Sequence, residues 1–415
     1  MKTITFVVAH DSQLKWSRIV ADAMREQGWR VEYLAVREYV GFSEAQCRDA
    51  GIAPEAIRLL PFDASIAALL DADVVLFPLV GGQTERMLYA LREALEISDS
   101  GKRPVTAAAY VGVVIDGHVG GLLSRAPADL VFVNSQYDYD LFYSACAALH
   151  IPASGLVLSG LGVLPPMQEL PARKEIRTVI FADQVVIPKT PSERRYLYQK
   201  LQDYAAQDPS RLLIIKPRHR PGENSLHKKI YSPEQFFRPP LPKNIVLDYR
   251  PLGELLPQAD LLLTVSSTAA LEALAFGVRA AIIADLAIRE PYGNHIFLES
   301  GLIRTFDQIM ANDIGEANKT WLQQYHETEG NAAHRIRDAL IEADRRNRRE
   351  EVPLPQSAYF AARQALYRND HGFFDFEEKW KRASPPSWVI KAGAFLLPPF
   401  IARPLHTLLR RVGLV

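Results

Sequence analysis

The stretch Leu261-Leu-Leu-Thr-Val-Ser-Ser-Thr-Ala-Ala-Leu-Glu-Ala-Leu-Ala-Phe-Gly277 reads as one unit: an apolar strand, a turn at Ser266, Ser267 and Thr268, and a helix that stops at a glycine. A short apolar run bounded by turn residues suits a strand covered on both faces, and a strand feeding a helix is the building block of a parallel sheet. The alternation recurs along the chain. Residues 3–9, 31–35, 74–78, 105–110 and 130–133 read as strands, with helices between them such as 14–27. Parallel strands need a long crossover, and the crossovers are helices that cover the sheet.

The first series closes at 155–162, after which Pro165, Pro166 and Pro171 and the charged Arg173-Lys174-Glu175 mark a linker. The pattern then restarts, with strands at 177–182, 212–216, 245–247 and 261–265 and a helix at 192–206. The expected fold class is therefore α/β, with two Rossmann-like domains facing a central cleft and helices at the C-terminus. Its divisions are an N-terminal Rossmann-like domain at 1–165, a second Rossmann-like domain at 173–350 and a helical extension at 351–415. A length of 415 residues suits two cores of roughly 150 to 200 residues each. Residues 316–351 read as charged helix, with 335–351 mostly a solvated face.

Lys plus Arg and Asp plus Glu number 48 each, so no global field argues for nucleic acid. Cys47 and Cys146 stand far apart, which fits core thiols in a reducing cytoplasm better than a disulfide or zinc site. MKTITFVVAH reads as a first strand with no cleavage region after it, and a cytoplasmic protein is expected. From residue 381 onward Lys381, Arg382, Lys391, Arg403, Arg410 and Arg411 alternate with Trp388, Phe395, Leu396 and Phe400. Such a segment suits contact with the inner face of the membrane, or alternatively a packed pair of helices; Pro398, Pro399 and Pro404 argue against a transmembrane span.

Hydroxyls at a strand-to-helix turn suit a phosphate, because unpaired N–H groups and side-chain donors converge there; the alternative is that Ser267 or Thr268 only caps the helix. Lys216-Pro-Arg-His-Arg-Pro-Gly-Glu-Asn-Ser-Leu-His227 follows directly on a strand. Open α/β sheets bind ligands beyond the carboxyl ends of their strands, so this loop and the Ser-Ser-Thr turn share one cleft. Lys216, Arg218 or His219 would neutralise a departing phosphate, with Glu272 on the following helix as a further nucleotide contact and Glu223 and His227 as weaker candidates. A ligand-free basic surface loop is the competing reading. On the N-terminal side, Val113-Val-Ile-Asp-Gly-His-Val-Gly-Gly121 places Asp116 and His118 in a glycine-rich loop, either as the base that takes a proton from an acceptor or as a plain turn. Ser12 after the first strand, and Gly82 and Gln83 after the third, would rim the cleft and bind acceptor; otherwise Ser12 caps a helix and the glycines make a tight turn. The Asp-x-Asp pairs at 71–73 and 138–140 read as solvated surface, and no metal or cofactor is expected.

The Lys-Pro-Arg-His-Arg-Pro loop, followed about fifty residues later by the Ser-Ser-Thr turn, resembles bacterial GT-B sialyltransferases and Kdo transferases over about 100 residues. That resemblance implies a metal-independent glycosyltransferase using a CMP-activated nonulosonic acid, with donor phosphate on His219, Ser266 and Ser267. It departs from the family at Arg220, which separates His219 from Pro221, and at Ile115, which stands where the acidic-acidic-Gly motif has its first acid, leaving Asp116-Gly117. The implied partners are a nucleotide sugar and a glycan, glycolipid or glycoprotein acceptor; inversion at the anomeric carbon is expected because a single base and a departing phosphate suffice for direct displacement, with retention as the alternative. The alternatives are a UDP-sugar transferase, a sugar-nucleotide epimerase and a non-catalytic polysaccharide-assembly protein.

Overall fold

The computed structural model describes residues 1–97, 103–114, 118–165, 168, 175–218, 220, 231, 233–326 and 331–369. The basic tail from 381 onward lies outside them. The N-terminal half runs β1 (Thr3–Val7), α1 (Asp11–Glu26), β2 (Arg30–Val36), α2 (Glu44–Asp49), β3 (Ile57–Leu60), α3 (Phe62–Leu69), β4 (Val74–Phe77), α4 (Gly81–Ile97), β5 (Val105–Ala109), α5 (His118–Leu123), β6 (Leu130–Val133), α6 (Gln136–Ala148) and β7 (Leu156–Leu158). The second half runs β8 (Thr178–Ala182), α7 (Pro191–Gln207), β9 (Leu212–Lys216), β10 (Ile245–Leu247), α8 (Leu252–Leu255), β11 (Leu261–Thr264), α9 (Ala269–Ala275), β12 (Arg279–Ile283), β13 (Ile303–Arg304), α10 (Phe306–Met310), α11 (Lys319–Tyr325) and α12 (Ala332–Glu350). A last helix, α13 (Ala358–Asn369), belongs to a separate unit that begins at Ser357.

Both sheets are parallel. The first has the order β3-β2-β1-β4-β5-β6-β7 and the second β10-β9-β8-β11-β12-β13. Read from its own first strand, each follows the dinucleotide-fold order 3-2-1-4-5-6, so the chain reverses direction between β1 and β4 and between β8 and β11. Those reversals open a crevice at the carboxyl ends of the strands. The central strands β4, β5 and β11 are buried along their whole length, as apolar runs sandwiched between helices must be. One face of the second sheet packs on α7 through Leu197, Tyr198 and Leu201, and the other on α9 through Ala270, Leu271 and Leu274.

The expected solvated helix is only half solvated. Along α12, Ala333, Ile336 and Leu340 fall at helical spacing and join the core of the first sheet beside α1. Burial of the two larger side chains contributes roughly 1.5–3 kcal/mol each. Beyond that stripe Asp344 is buried, accepts from Lys2 and from Arg348 Nε at 2.9 Å, and Arg348 Nη2 reaches Asp73 Oδ1 at 2.6 Å. Arg335 donates to the Ser159 carbonyl at 2.8 Å and Asn347 to that of Arg103 at 3.1 Å. The chain thus leaves the second sheet and returns to the first. Among the described residues no helix is long and apolar enough to cross a membrane.

Candidate functional site

Lys216 is the last residue of β9, so the strand delivers its ammonium to the crevice. It is half-buried, donates to the Pro217 carbonyl at 2.8 Å, and has Lys15, Arg218, Asp248 and Glu272 as charged neighbours. Burial first, then the repulsion of Lys15 and Arg218, pull its pKa down to about 8, even though Asp248 and Glu272 oppose the shift. Asp248 is occupied by Arg250, whose Nε lies 2.9 Å from its Oδ2. Glu272 is pushed up by burial against the pull of Arg218, Lys15 and Lys216. The cluster is therefore short of negative charge.

Lys15 comes from the other sheet. It lies one turn after Asp11 on α1, so the two share the face that meets the β9 loop. Arg218 Nη2 lies 3.6 Å from Asp11 Oδ2, and Arg220 Nη1 3.3 Å from Asp49 Oδ2 at the end of α2. All four side chains keep substantial solvent contact except Asp11, and such pairs are worth about 0–1 kcal/mol each, weak enough for an anionic ligand to replace. These residues, with Gln46, Pro217, Tyr249 and Pro251, line a narrow cavity of about 40 Å³ that is partly open to solvent.

The Ser-Ser-Thr turn follows β11 at the centre of the crevice. Ser266 is buried and held by Gln184, whose Oε1 accepts from its N–H at 3.0 Å and whose Nε2 donates to its Oγ at 3.1 Å. Ser267 Oγ accepts from the Ala269 N–H at 3.2 Å, so this residue does perform the capping that the sequence offered as an alternative. Thr268 makes no capping bond and points at the first sheet, its Oγ1 3.9 Å from where a Cβ on Gly112 would stand. Of the three hydroxyls, only that of Thr268 faces the opposite domain.

Several expected residues sit differently or fall outside the description. Asp116, His219, Glu223 and His227 lie outside the described residues, and of His118 only the backbone is described, as the first residue of α5. Ser12 does not cap a helix: α1 starts at Asp11 and His10 occupies the cap position, while Gln13 Oε1 accepts from the Ala9 N–H at 2.8 Å. Gly82 and Gln83 form the first turn of α4 rather than a loop. Asp73 and Asp138 are buried structural groups, not solvated ones: Asp73 accepts from the Thr3 N–H at 2.7 Å, and Asp138 accepts from Ser135 Oγ at 2.7 Å at the start of α6. No cluster able to hold a metal occurs among the described residues. Both cysteines are buried and free.

The sequence reading passed over Asp11, Lys15 and Asp183. Asp183 follows β8, is buried against Arg194 at 3.5 Å, and gives its N–H to the Lys216 carbonyl at 3.1 Å. Burial pushes its carboxyl up to about 6 despite the guanidinium, and Arg194 in turn binds the Gln184 and Val185 carbonyls at 2.8 and 2.6 Å. This buried pair fixes the loop that holds Ser266.

No curated protein sequence matches the chain. Solved structures do. A UDP-GlcNAc 2-epimerase from Neisseria meningitidis bound to UDP-GlcNAc shares 12% identity, covers 82% of this chain and 100% of its own, and superposes with a TM-score of 0.53. Arabidopsis thaliana UGT89C1 complexed with UDP gives 11%, 83%, 100% and 0.53, and the wall teichoic acid polymerase TagF 11%, 83%, 89% and 0.51. Identities this low speak for the shared fold, two Rossmann-like domains of the GT-B type. The sequence itself decides the family: residues 4–340 match the model described as "Putative glycosyltransferase (DUF6716)", and the chain belongs to that glycosyltransferase family.

Proposed function

We propose that the crevice transfers a sugar from a nucleotide sugar to a glycan or lipid-linked acceptor, and that the donor carries a nucleoside diphosphate of the UDP class. The observation that carries this reading is the meeting of Lys216 and Arg218 with Lys15 of the opposite domain, a cationic cluster whose Lys216 is held below its ordinary basicity by burial first and by its cationic neighbours second. More than one phosphate charge would satisfy it. Two structural relatives, solved with UDP-GlcNAc and with UDP, agree with that preference.

In the reaction, the acceptor oxygen forms a bond to the anomeric carbon as the bond from that carbon to the phosphate oxygen breaks. Lys216 and Arg218 take up the charge that builds on the leaving diphosphate, which side-chain cations do without a metal ion. The Thr268 hydroxyl, which faces the first sheet near Gly112, donates to the same group in this reading. Tyr249 offers a ring beside the cluster for the nucleobase, since stacking on an aromatic face holds a base without hydrogen-bond readout. The acceptor proton passes to Asp116 or His118, which follow β5 in the sequence.

Calorimetric titration with UDP, CDP, GDP and CMP, with and without magnesium, tests the reading. Magnesium-independent binding strongest for a diphosphate and weakened by Lys216→Gln is expected. Selectivity for CMP would restore the nonulosonate donor that the motif resemblance implied. Absence of nucleotide binding would end the transferase reading in favour of an assembly protein.

A further inference from the structure

The crevice has a second chemistry at its other edge. There α6 of the first sheet meets α11 and the segment after β12. Tyr137 stacks on Tyr325 at 5.0 Å between ring centroids, Tyr325 on Trp321 at 5.2 Å, and Trp321 tilts against Phe297 at 5.6 Å. The Trp321 indole N–H donates to the Ile296 carbonyl at 2.8 Å, which locks the base of the stack. The stack borders a recess of about 470 Å³, partly open to solvent.

The rim of the recess is polar. Glu299, Asn318, Thr320 and Gln324 are exposed around it, and the Nδ1 atom of His295 is buried with no partner among the described residues. Glu299 holds a left-handed backbone, φ 63°, which costs a non-glycine residue energy and occurs where the surroundings impose it. Tyr137 remains 42% exposed although its ring is stacked.

Trp321 and Phe297 are buried behind the stack, so its open aromatic surface is Tyr137 and the half-buried Tyr325; that surface, with carboxylate and amide groups along one side, matches a saccharide. Sugar rings present an apolar face of C–H groups to the wall and hydroxyls to planar acceptors and donors. A lipid chain would leave the polar rim unpaired, at a cost that an apolar ligand cannot offset. A small separate cavity lined by Val113, Val114, Asn134 and Asp138 shares Trp321 and Tyr325 with the recess, so the far side of the stack lies beside the residues that follow β5.

We infer that this recess is a saccharide subsite, which holds sugar units of the acceptor beyond the reacting one and lies at the edge of the crevice opposite the nucleotide cluster. The assignment rests on the proposed transferase reading for its place in the reaction, but not for its test.

The test uses the full chain without nucleotide. Its tryptophan fluorescence is titrated with chitotetraose, maltotetraose and mannotetraose, Trp321 serving as the internal reporter. Saturable binding of at least one of them is expected, weakened about tenfold in Tyr137→Ala, restored in Tyr137→Trp, reduced in Glu299→Gln and unchanged in Lys216→Gln. Binding of none, or binding indifferent to Tyr137→Ala, overturns the subsite. A response to monomeric dodecyl maltoside but not to the oligosaccharides assigns the recess to an apolar chain and overturns it equally. Loss of UDP binding in Lys216→Gln is read separately, so failure of the nucleotide cluster and failure of the subsite are distinguishable.

Discussion

Lys216 makes nucleotide binding a proton-coupled event. Its amine is held at about 8 against an ordinary 10.5, first by burial and then by Lys15 and Arg218. A lysine whose folded value lies below its unfolded one favours folding fully only above the unfolded value, and that contribution is lost as pH falls through the folded value. At neutral pH the unliganded protein therefore carries this ammonium at a cost. A diphosphate beside it reverses the sign of the local field and returns the amine towards its ordinary basicity. The free site is about half protonated near pH 8 and about a tenth protonated near pH 9, whereas the complex stays nearly full. At and above pH 8, where the terminal phosphate of UDP is already ionised, UDP binding should consequently take up about 0.5 proton near pH 8 and close to 0.9 near pH 9. Calorimetry in buffers of different ionisation enthalpy measures the uptake directly. In Lys216→Gln the uptake should vanish and affinity should fall about tenfold to a hundredfold, the loss of one charge-assisted contact to phosphate. Uptake that is absent, independent of pH, or preserved in Lys216→Gln would refute the reasoning.

Three further outcomes follow from the packing. Asp344→Ala leaves Lys2 and Arg348 facing each other without the buried carboxylate that joins them; because both cations are partly exposed, the loss should be about 1–3 kcal/mol in denaturant unfolding, with UDP affinity of the folded protein unchanged. Gly301 has φ +76° and its added Cβ would stand 2.3 Å from the Glu316 carbonyl oxygen, so Gly301→Ala should destabilise by about 2 kcal/mol or more, whereas Gly82→Ala, in open space on the first turn of α4, should stabilise by about 0.5 kcal/mol; thermal melts of the two variants check the contrast. Asp183 has its carboxyl raised from 3.8 to about 6, so its contribution to stability is greatest below 3.8 and is lost as pH rises through 6. Denaturation curves across that window should show wild type losing stability relative to Asp183→Asn.

How much of this was legible in the sequence depended on whether a feature is encoded locally. Strands β1, β4, β5, β6, β9 and β11 announced themselves because a strand covered on both faces must be a continuous apolar run. Strand β3, at the edge of its sheet, has the middle of its Ile-Arg-Leu-Leu run exposed and carries no such signal, and β13 is only two residues long. Strand β12 was hidden for a different reason: its Arg-Ala-Ala-Ile-Ile run follows the Ala- and Leu-rich α9 after a single turn, and composition does not change across the boundary. The two glycines at 81 and 82 read as a turn, yet they begin a helix, where the first N–H groups have no intrahelical partner and the usual penalty of glycine is smallest.

The site divides along the same line. Lys216, Arg218 and the Ser-Ser-Thr turn were recognisable because each follows a strand, and strand ends in this topology converge. Their electrostatics were not recognisable, because the groups that set them are far away in the chain. Lys15, which adds to burial in lowering the basicity of Lys216, and Asp11 and Asp49, which hold Arg218 and Arg220, are separated from the β9 loop by well over a hundred residues and meet it only in the folded chain. A spacing of four between Asp11 and Lys15 at the start of a helix was the one local hint, since it places both on a single face beside the end of β1. The division has a functional consequence. Donor-side residues on one sheet are tuned by charges on the other, so any motion that separates the sheets would raise the basicity of Lys216, and closure on a diphosphate would be favoured by the charge that closure alone concentrates.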